Sequence, residues 1–233
     1  MKTAPRYWFV AIAAGSLITA LGLFELMIRR SAGPSIFLLN KSMAGAAIIL
    51  IALSYTFSAI HYFSGKFKAG YKLRRPFGIV GYGFSILHIV CTFFVSDPQN
   101  IVLKKFPFPE FFLDNWFSIA LSAMAFLYFS YACFISFWPK RLLNRKAQTS
   151  NWRTHLRYGY VAVVLILGHI LALKVQAWKE WFTTSDIFLP PLSLVIGIAL
   201  AFLIIVKTVH LFKQKRLFKE VAKRQSSKTY QNA

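Results

Sequence analysis

Six apolar segments, each long enough to cross a lipid bilayer as a helix, dominate this sequence. A helix that spans the hydrocarbon core needs about 20 mainly apolar residues. The segments that meet this requirement are 7–28, 43–64, 77–96, 115–138, 157–177 and 188–212. They take up more than half of the 233 residues, which leaves no room for a separate soluble domain. The sequence therefore predicts an all-α integral membrane bundle of six transmembrane helices, with residues 1–233 forming a single transmembrane domain.

The distribution of charge predicts the orientation of the chain. It carries 28 Lys and Arg residues against 7 Asp and Glu residues, a net charge of +21. In a soluble domain this excess would suggest nucleic-acid binding, but the apolar segments argue against a nucleic-acid partner. If all six segments span, 21 of the 28 basic residues lie on the face that carries both termini. Basic residues are retained in the cytoplasm during insertion. Both termini, including a basic tail at 213–233, are therefore predicted to be cytoplasmic.

Two histidines are predicted to lie at the same depth in the bilayer. His88 follows Arg75 by 13 residues in the third segment, and His169 follows Arg157 by 12 residues in the fifth. Both segments start at the cytoplasmic face, so their helices run parallel. At 1.5 Å per residue, both imidazoles lie about 18–20 Å beyond those arginines, toward the outer leaflet. Ionisable side chains inside a bilayer are costly and usually functional.

This pair of histidines has three interpretations that the residues alone leave open. Two neutral imidazoles on parallel helices can occupy both axial positions of a haem iron. They can also be structural histidines that hydrogen-bond neighbouring helices, or part of a proton or metal pathway. Gly78 and Gly159 each precede one histidine by ten residues, roughly 80° away around the helix. Such glycines leave room for a flat ligand or let two helices pack closely.

Short motifs around both histidines resemble a known family. The stretch LRRPFG at 73–78, followed by ILH at 86–88, resembles the third helix of ferric-reductase-like transmembrane domains. The stretches WR at 152–153, YGY at 158–160 and GH at 168–169 resemble the fifth helix of those domains. The order and the spacing of the motifs also agree with that family.

Two branches of this superfamily are similar in particular details. The stretch FLPP at 188–191 is similar to the same position in the STEAP metalloreductases. The spacing from Trp152 to His169 is closer to the haem-binding membrane subunit of the periplasmic methionine sulfoxide reductase system. The resemblance covers about residues 43–212. It implies a haem b with His88 and His169 as axial ligands to the haem iron.

The resemblance also implies a function in electron transport. Electrons would pass from a flavin or quinol donor on the cytoplasmic side to a metal ion or a periplasmic redox protein on the outer face. Since the chain carries no nicotinamide-binding domain, a separate flavin reductase or a quinol would supply them. The expected location is the cell membrane, as a multi-pass component of an oxidoreductase in a bacterial inner membrane. The alternative is a non-redox membrane protein, a small transporter or a structural bundle, with proton-path or packing histidines.

The sequence departs from the family where many members bind a second haem. The corresponding positions on the third helix are Arg74 and Arg75, and on the fifth helix the expected histidine is displaced to His155. A second haem held by His61 and His155 is left open, with interfacial histidines as the alternative. Arg75 and Arg157 are interpreted either as anchors at the membrane surface or as contacts to haem propionates or a flavin phosphate.

Overall fold

The chain folds into a bundle of long helices. The computed structural model describes residues 4–30, 33–64, 68–94, 109–137, 148–184, 190–206, 208–209 and 212–213. Within these residues there are six helices: α1 (Pro5–Arg30), α2 (Ile36–Ser64), α3 (Lys68–Phe94), α4 (Pro109–Phe137), α5 (Gln148–Thr184) and α6 (Leu192–Val206). The prediction of an all-α protein is confirmed for this part of the chain. The tail from 214 onward lies outside it.

The helices have the length and the surface of membrane-spanning elements. Four apolar stretches are long enough to cross a bilayer: Pro5–Arg30, Ile36–Phe57, Trp116–Phe134 and Gly159–Thr183. Large apolar side chains cover the outside of the bundle, and Phe9, for example, is 74% exposed. A soluble protein rarely exposes so much contiguous apolar surface, whereas lipid accepts it. These features indicate a multi-pass membrane protein in a lipid bilayer.

The two remaining predicted segments are helical but differ from those four. The first turns of α3 carry basic residues that make this half of the helix polar, and α6 is a shorter apolar helix. Helices also extend beyond the predicted segments: α2 begins at Ile36 rather than 43, and α3 at Lys68 rather than 77. A helix continues for as long as its backbone hydrogen bonds do, whether or not lipid surrounds it. The predicted apolar segments therefore begin later in the sequence than the helices that contain them.

The most extensive helix packing joins α2 and α3 into an antiparallel hairpin. A Cβ atom on Gly81 would lie 2.9 Å from Ile51 and 3.1 Å from the carbonyl oxygen of Ala47, so the two backbones approach closely. Further along, the Ser54 hydroxyl donates a hydrogen bond to the Arg74 carbonyl at 2.7 Å. Small residues at the contact make this approach possible. Helix α1 packs against both helices of the hairpin.

A second group of helices contains α4, α5 and α6. Helices α4 and α5 pack together extensively. At one end of the α5–α6 contact, the Trp178 indole N–H donates to the Ser193 hydroxyl at 3.0 Å. Toward the other end, the Tyr160 hydroxyl donates to the Ile204 carbonyl at 3.2 Å. Helices α5 and α6 are therefore antiparallel, and Trp178 is buried between them.

Helices α3 and α5 run in the same direction. In the second half of α2, Tyr55 packs against Gly159 of α5. Near the start of α2, Asn40 contacts His88, which is within range of an electrostatic interaction with His169. Helix α2 is therefore antiparallel to α5 as well as to α3. The parallel arrangement agrees with the direction expected from the basic residues, and it places the two histidines at one level.

Candidate functional site

The structure brings together the two histidines singled out in the sequence. His88 on α3 and His169 on α5 are both half-buried, and they are close enough for an electrostatic interaction. The helices that carry them pack mainly on other partners, α3 on α2 and α5 on α4. Each imidazole is held by a residue of that partner helix, so the histidine pair lies between the α2–α3 pair and the α4–α5 pair of helices.

His88 is held by Asn40, a residue of α2 that is only 6% exposed. The Nδ1 atom of His88 lies 2.8 Å from the Asn40 side-chain oxygen and 3.2 Å from its backbone carbonyl oxygen. Carbonyl oxygens only accept hydrogen bonds, so Nδ1 carries the proton and donates it. The Asn40 amide group donates in turn to the Thr92 hydroxyl at 3.1 Å. That hydroxyl donates to the His88 carbonyl at 2.7 Å, which closes the network.

His169 is held in the same manner by Ser118, a residue of α4 that is 3% exposed. The Nδ1 atom of His169 lies 2.9 Å from the Ser118 backbone carbonyl oxygen and 2.8 Å from its hydroxyl oxygen. The hydroxyl itself donates to the His169 carbonyl at 3.4 Å. Because the backbone carbonyl cannot donate, the proton of this ring is again on Nδ1.

Both rings are therefore in the tautomer that binds metals through Nε2. With the proton on Nδ1, the Nε2 atom keeps its lone pair. None of the described residues hydrogen-bonds the Nε2 of His88 or His169. A metal-binding histidine usually donates its other ring N–H to a carbonyl or similar oxygen, as both of these rings do. His88 and His169 would be the residues that hold a haem iron, each through its Nε2 atom.

Positive charge accumulates beside the histidine pair. Lys174, five residues after His169 on α5, is half-buried and interacts electrostatically with both His169 and Arg30 of α1. Arg30 also lies over the ring of Phe37 at 5.1 Å, and Lys41 lies over the same ring at 3.9 Å. Three helices thus bring cationic groups to the end of the bundle nearest the pair.

Side chains of α2 pack against both glycines that the sequence analysis singled out. A Cβ atom on Gly78 would lie 3.0 Å from the Ser54 hydroxyl oxygen, and one on Gly159 would overlap the hydroxyl of Tyr55. Both positions therefore serve close helix packing. Their role beside a haem stays a prediction.

The remaining candidate residues lie away from the pair. Arg75 is exposed in the first half of α3. His61 lies near the end of α2, and His155 and Arg157 lie near the start of α5. The side chains of these last three fall outside the part of the chain that the structure describes. Among the described residues, no group of three or more His, Cys, Asp or Glu side chains is placed to hold a metal ion.

The sequence did not reveal Asn40 and Ser118 as part of the site. Asn40 lies before the second apolar segment, and Ser118 is an ordinary small polar residue within the fourth. Their partners are 48 and 51 residues away, so no local motif links them. The one available signal was an asparagine just before the second segment, which neighbours the histidine-bearing third segment in the sequence.

Comparison with known proteins gives no family for this chain. No protein-family model matches it, and no curated protein matches it at a significant level. The function is therefore inferred from the geometry of His88 and His169.

Proposed function

We propose that this chain is a b-type haem-binding membrane protein that transfers electrons across the bilayer. The observation that carries the proposal is the arrangement of His88 and His169. They lie at one level on helices that run in the same direction, and each is hydrogen-bonded through Nδ1 so that Nε2 is left with its lone pair. When bound, the haem supplies a one-electron iron couple inside the membrane. The protein supplies the two ligands, their orientation and the apolar surroundings.

The proposed topology has six spans with both termini in the cytoplasm. It adds α3 and α6 to the four stretches that are long and apolar enough to cross. The charge distribution supports it, since 21 of the 28 basic residues then lie on one face. In this topology the histidine pair is nearer the outer leaflet. The proposed location is a bacterial inner membrane.

The proposed donor is a flavin reductase or a quinol on the cytoplasmic side, and the proposed acceptor is a metal ion or a periplasmic redox protein on the outer face. The position of the pair supports an exit on the outer side, because His88 lies beyond the middle of α3 from its basic end. Arg75, exposed at that basic end, is the proposed contact for an anionic donor such as a flavin phosphate. The chain would then be the membrane component of an oxidoreductase.

Absorption spectroscopy tests the haem directly. The protein purified in detergent from a haem-replete host should show b-type α and β bands after reduction with dithionite. His88→Leu and His169→Leu should each abolish these bands, because one imidazole alone does not complete the axial pair. His210→Leu, a histidine outside the pair, should retain them. A wild-type protein without b-type bands would favour a non-redox bundle with packing or proton-path histidines.

A further inference from the structure

Asn40 and Ser118 share a pattern that the haem proposal does not itself require. Both are buried polar residues on helices of largely apolar composition. Each offers two oxygens to one imidazole Nδ1, one from its backbone and one from its side chain. Other buried hydroxyls of α2 bond backbone carbonyls, as Ser42 does with Leu38 at 2.9 Å and Ser54 with Arg74 at 2.7 Å. Asn40 and Ser118 instead direct their side chains at the histidines.

We infer that Asn40 and Ser118 are positioning residues that fix the two axial imidazoles and set the reduction potential of the iron. This inference rests on the proposed haem function. A hydrogen bond from Nδ1–H to an oxygen raises the basicity of Nε2. A more basic ligand stabilises ferric iron more than ferrous iron, so a stronger acceptor at Nδ1 lowers the potential. The bond also holds the plane of the ring.

The two positions differ in how much depends on the side chain. At His88 the side-chain oxygen of Asn40 is the closer acceptor, at 2.8 Å against 3.2 Å for the backbone oxygen. At His169 the two oxygens of Ser118 are almost equally distant, at 2.8 and 2.9 Å. The backbone carbonyl remains in any substitution. Replacing the side chain should therefore affect the potential more at Asn40 than at Ser118.

Thr92 gives Asn40 a fixed orientation. Its hydroxyl accepts from the Asn40 amide at 3.1 Å and donates to the His88 carbonyl at 2.7 Å. The amide nitrogen is thereby turned toward α3, and the amide oxygen faces the imidazole. Because Thr92 lies four residues after His88 on the same helix, α3 itself holds the residue that orients its histidine.

Opposite changes at Asn40 test the inference through the midpoint potential of the purified haem protein. Asn40→Asp places a charged, stronger acceptor at Nδ1 and should shift the potential downward. Asn40→Leu removes the closer acceptor and should shift it upward, and Ser118→Ala should give a smaller upward shift. Ser42→Ala and Ser122→Ala are the matched controls, because in the part of the chain that the structure describes each hydroxyl bonds a carbonyl of its own helix. Neither control should move the potential.

A purely structural role would not produce shifts of opposite sign. If Asn40→Asp and Asn40→Leu move the potential in the same direction, or leave it unchanged, the inference is overturned. Should Asn40→Leu fail to fold, Thr92→Val at an exposed position provides a milder upward shift through loss of the amide orientation. Electron paramagnetic resonance of the oxidised protein should show altered g values in Asn40→Leu, since these report the relative planes of two axial imidazoles. A wild-type protein without b-type bands would instead reject the haem function itself.

Discussion

The Nδ1 atom of His88 on α3 lies 2.8 Å from the side-chain oxygen of Asn40 on α2. The corresponding contact of His169 on α5 is to Ser118 on α4. Each histidine is thus fixed within its own closely packed pair of helices, α2 with α3 and α4 with α5. The candidate site lies where these two pairs meet, so its geometry depends on how they pack as well as on the sequence near each histidine.

The contact between Tyr55 and Gly159 predicts one haem per chain. Tyr55 packs against Gly159, which lies nearer the start of α5 than His169 does. Arg74 lies over the Tyr55 ring at 5.9 Å. Tyr55 lies six residues before His61 and Gly159 four residues after His155, so their contact occupies the level next to the one proposed for a second haem. Quantifying haem by the pyridine haemochrome method against protein by amino-acid analysis should therefore give a ratio close to one. A ratio near two would contradict this prediction and support the His61–His155 pair.

The sequence predicted the helices better than their contacts. Long apolar segments and the distribution of basic residues were sufficient to predict an all-α chain and to place His88 and His169 at one level. The predicted second segment nevertheless begins after Asn40, and the predicted fifth segment ends before Trp178. Polar residues at helix ends lower the local hydropathy without ending the helix, so both residues fell outside.

The oxygen that holds each imidazole could not be predicted from the sequence for a different reason. Whether Ser118 faces His169 or lipid depends on the rotation of α4 against α5. One residue along a helix turns a side chain by about 100°, and the small, uncharged Ser118 gives no pattern that fixes this rotation. Only the packed structure shows which of the serines on α4 faces the histidine.

Lys174 should raise the reduction potential of the proposed haem. Its charge lies within electrostatic range of His169, and a nearby positive charge favours the ferrous state. Lys174→Gln should therefore lower the midpoint potential measured by redox titration. Lys179→Gln, at an exposed position on the same helix, removes an equal charge and should have a much smaller effect. Equal shifts in the two variants would show that Lys174 acts only through the net charge.

Reporter fusions should decide whether α3 and α6 span. Alkaline phosphatase is active only outside the cytoplasm, so a fusion truncated after Lys66 should be inactive and one after Lys104 active. These two positions bracket α3. A fusion after Thr184 should be active, and one after Ala233 should be inactive, which brackets α6. Green fluorescent protein at the same positions should give the complementary pattern. Equal phosphatase activity on both sides of either helix would contradict the six-span topology.

Gly159 should be essential for packing, unlike Gly83. A Cβ atom on Gly159 would overlap the Tyr55 hydroxyl, whereas one on Gly83 would meet no atom within 4 Å. Tyr55 is only 9% exposed and has little room to move away. Gly159→Ala should therefore reduce stability by about 1–3 kcal/mol, the usual cost of overpacking a core. Gly83→Ala should instead be neutral or stabilising by about 0.5–1 kcal/mol, because alanine favours the helix.

Thermal unfolding in detergent, followed by circular dichroism, compares these two glycine variants. Gly159→Ala should melt below the wild type, and Gly83→Ala at or above it. The double variant Gly159→Ala/Tyr55→Phe should recover part of the loss, because it removes the hydroxyl that the new methyl group overlaps. If Gly159→Ala melts like the wild type, α2 and α5 do not approach each other as closely at this level as the structure shows. There would then be room for a second cofactor at the level of Tyr55 and Gly159. The prediction of one haem per chain would lose its structural basis.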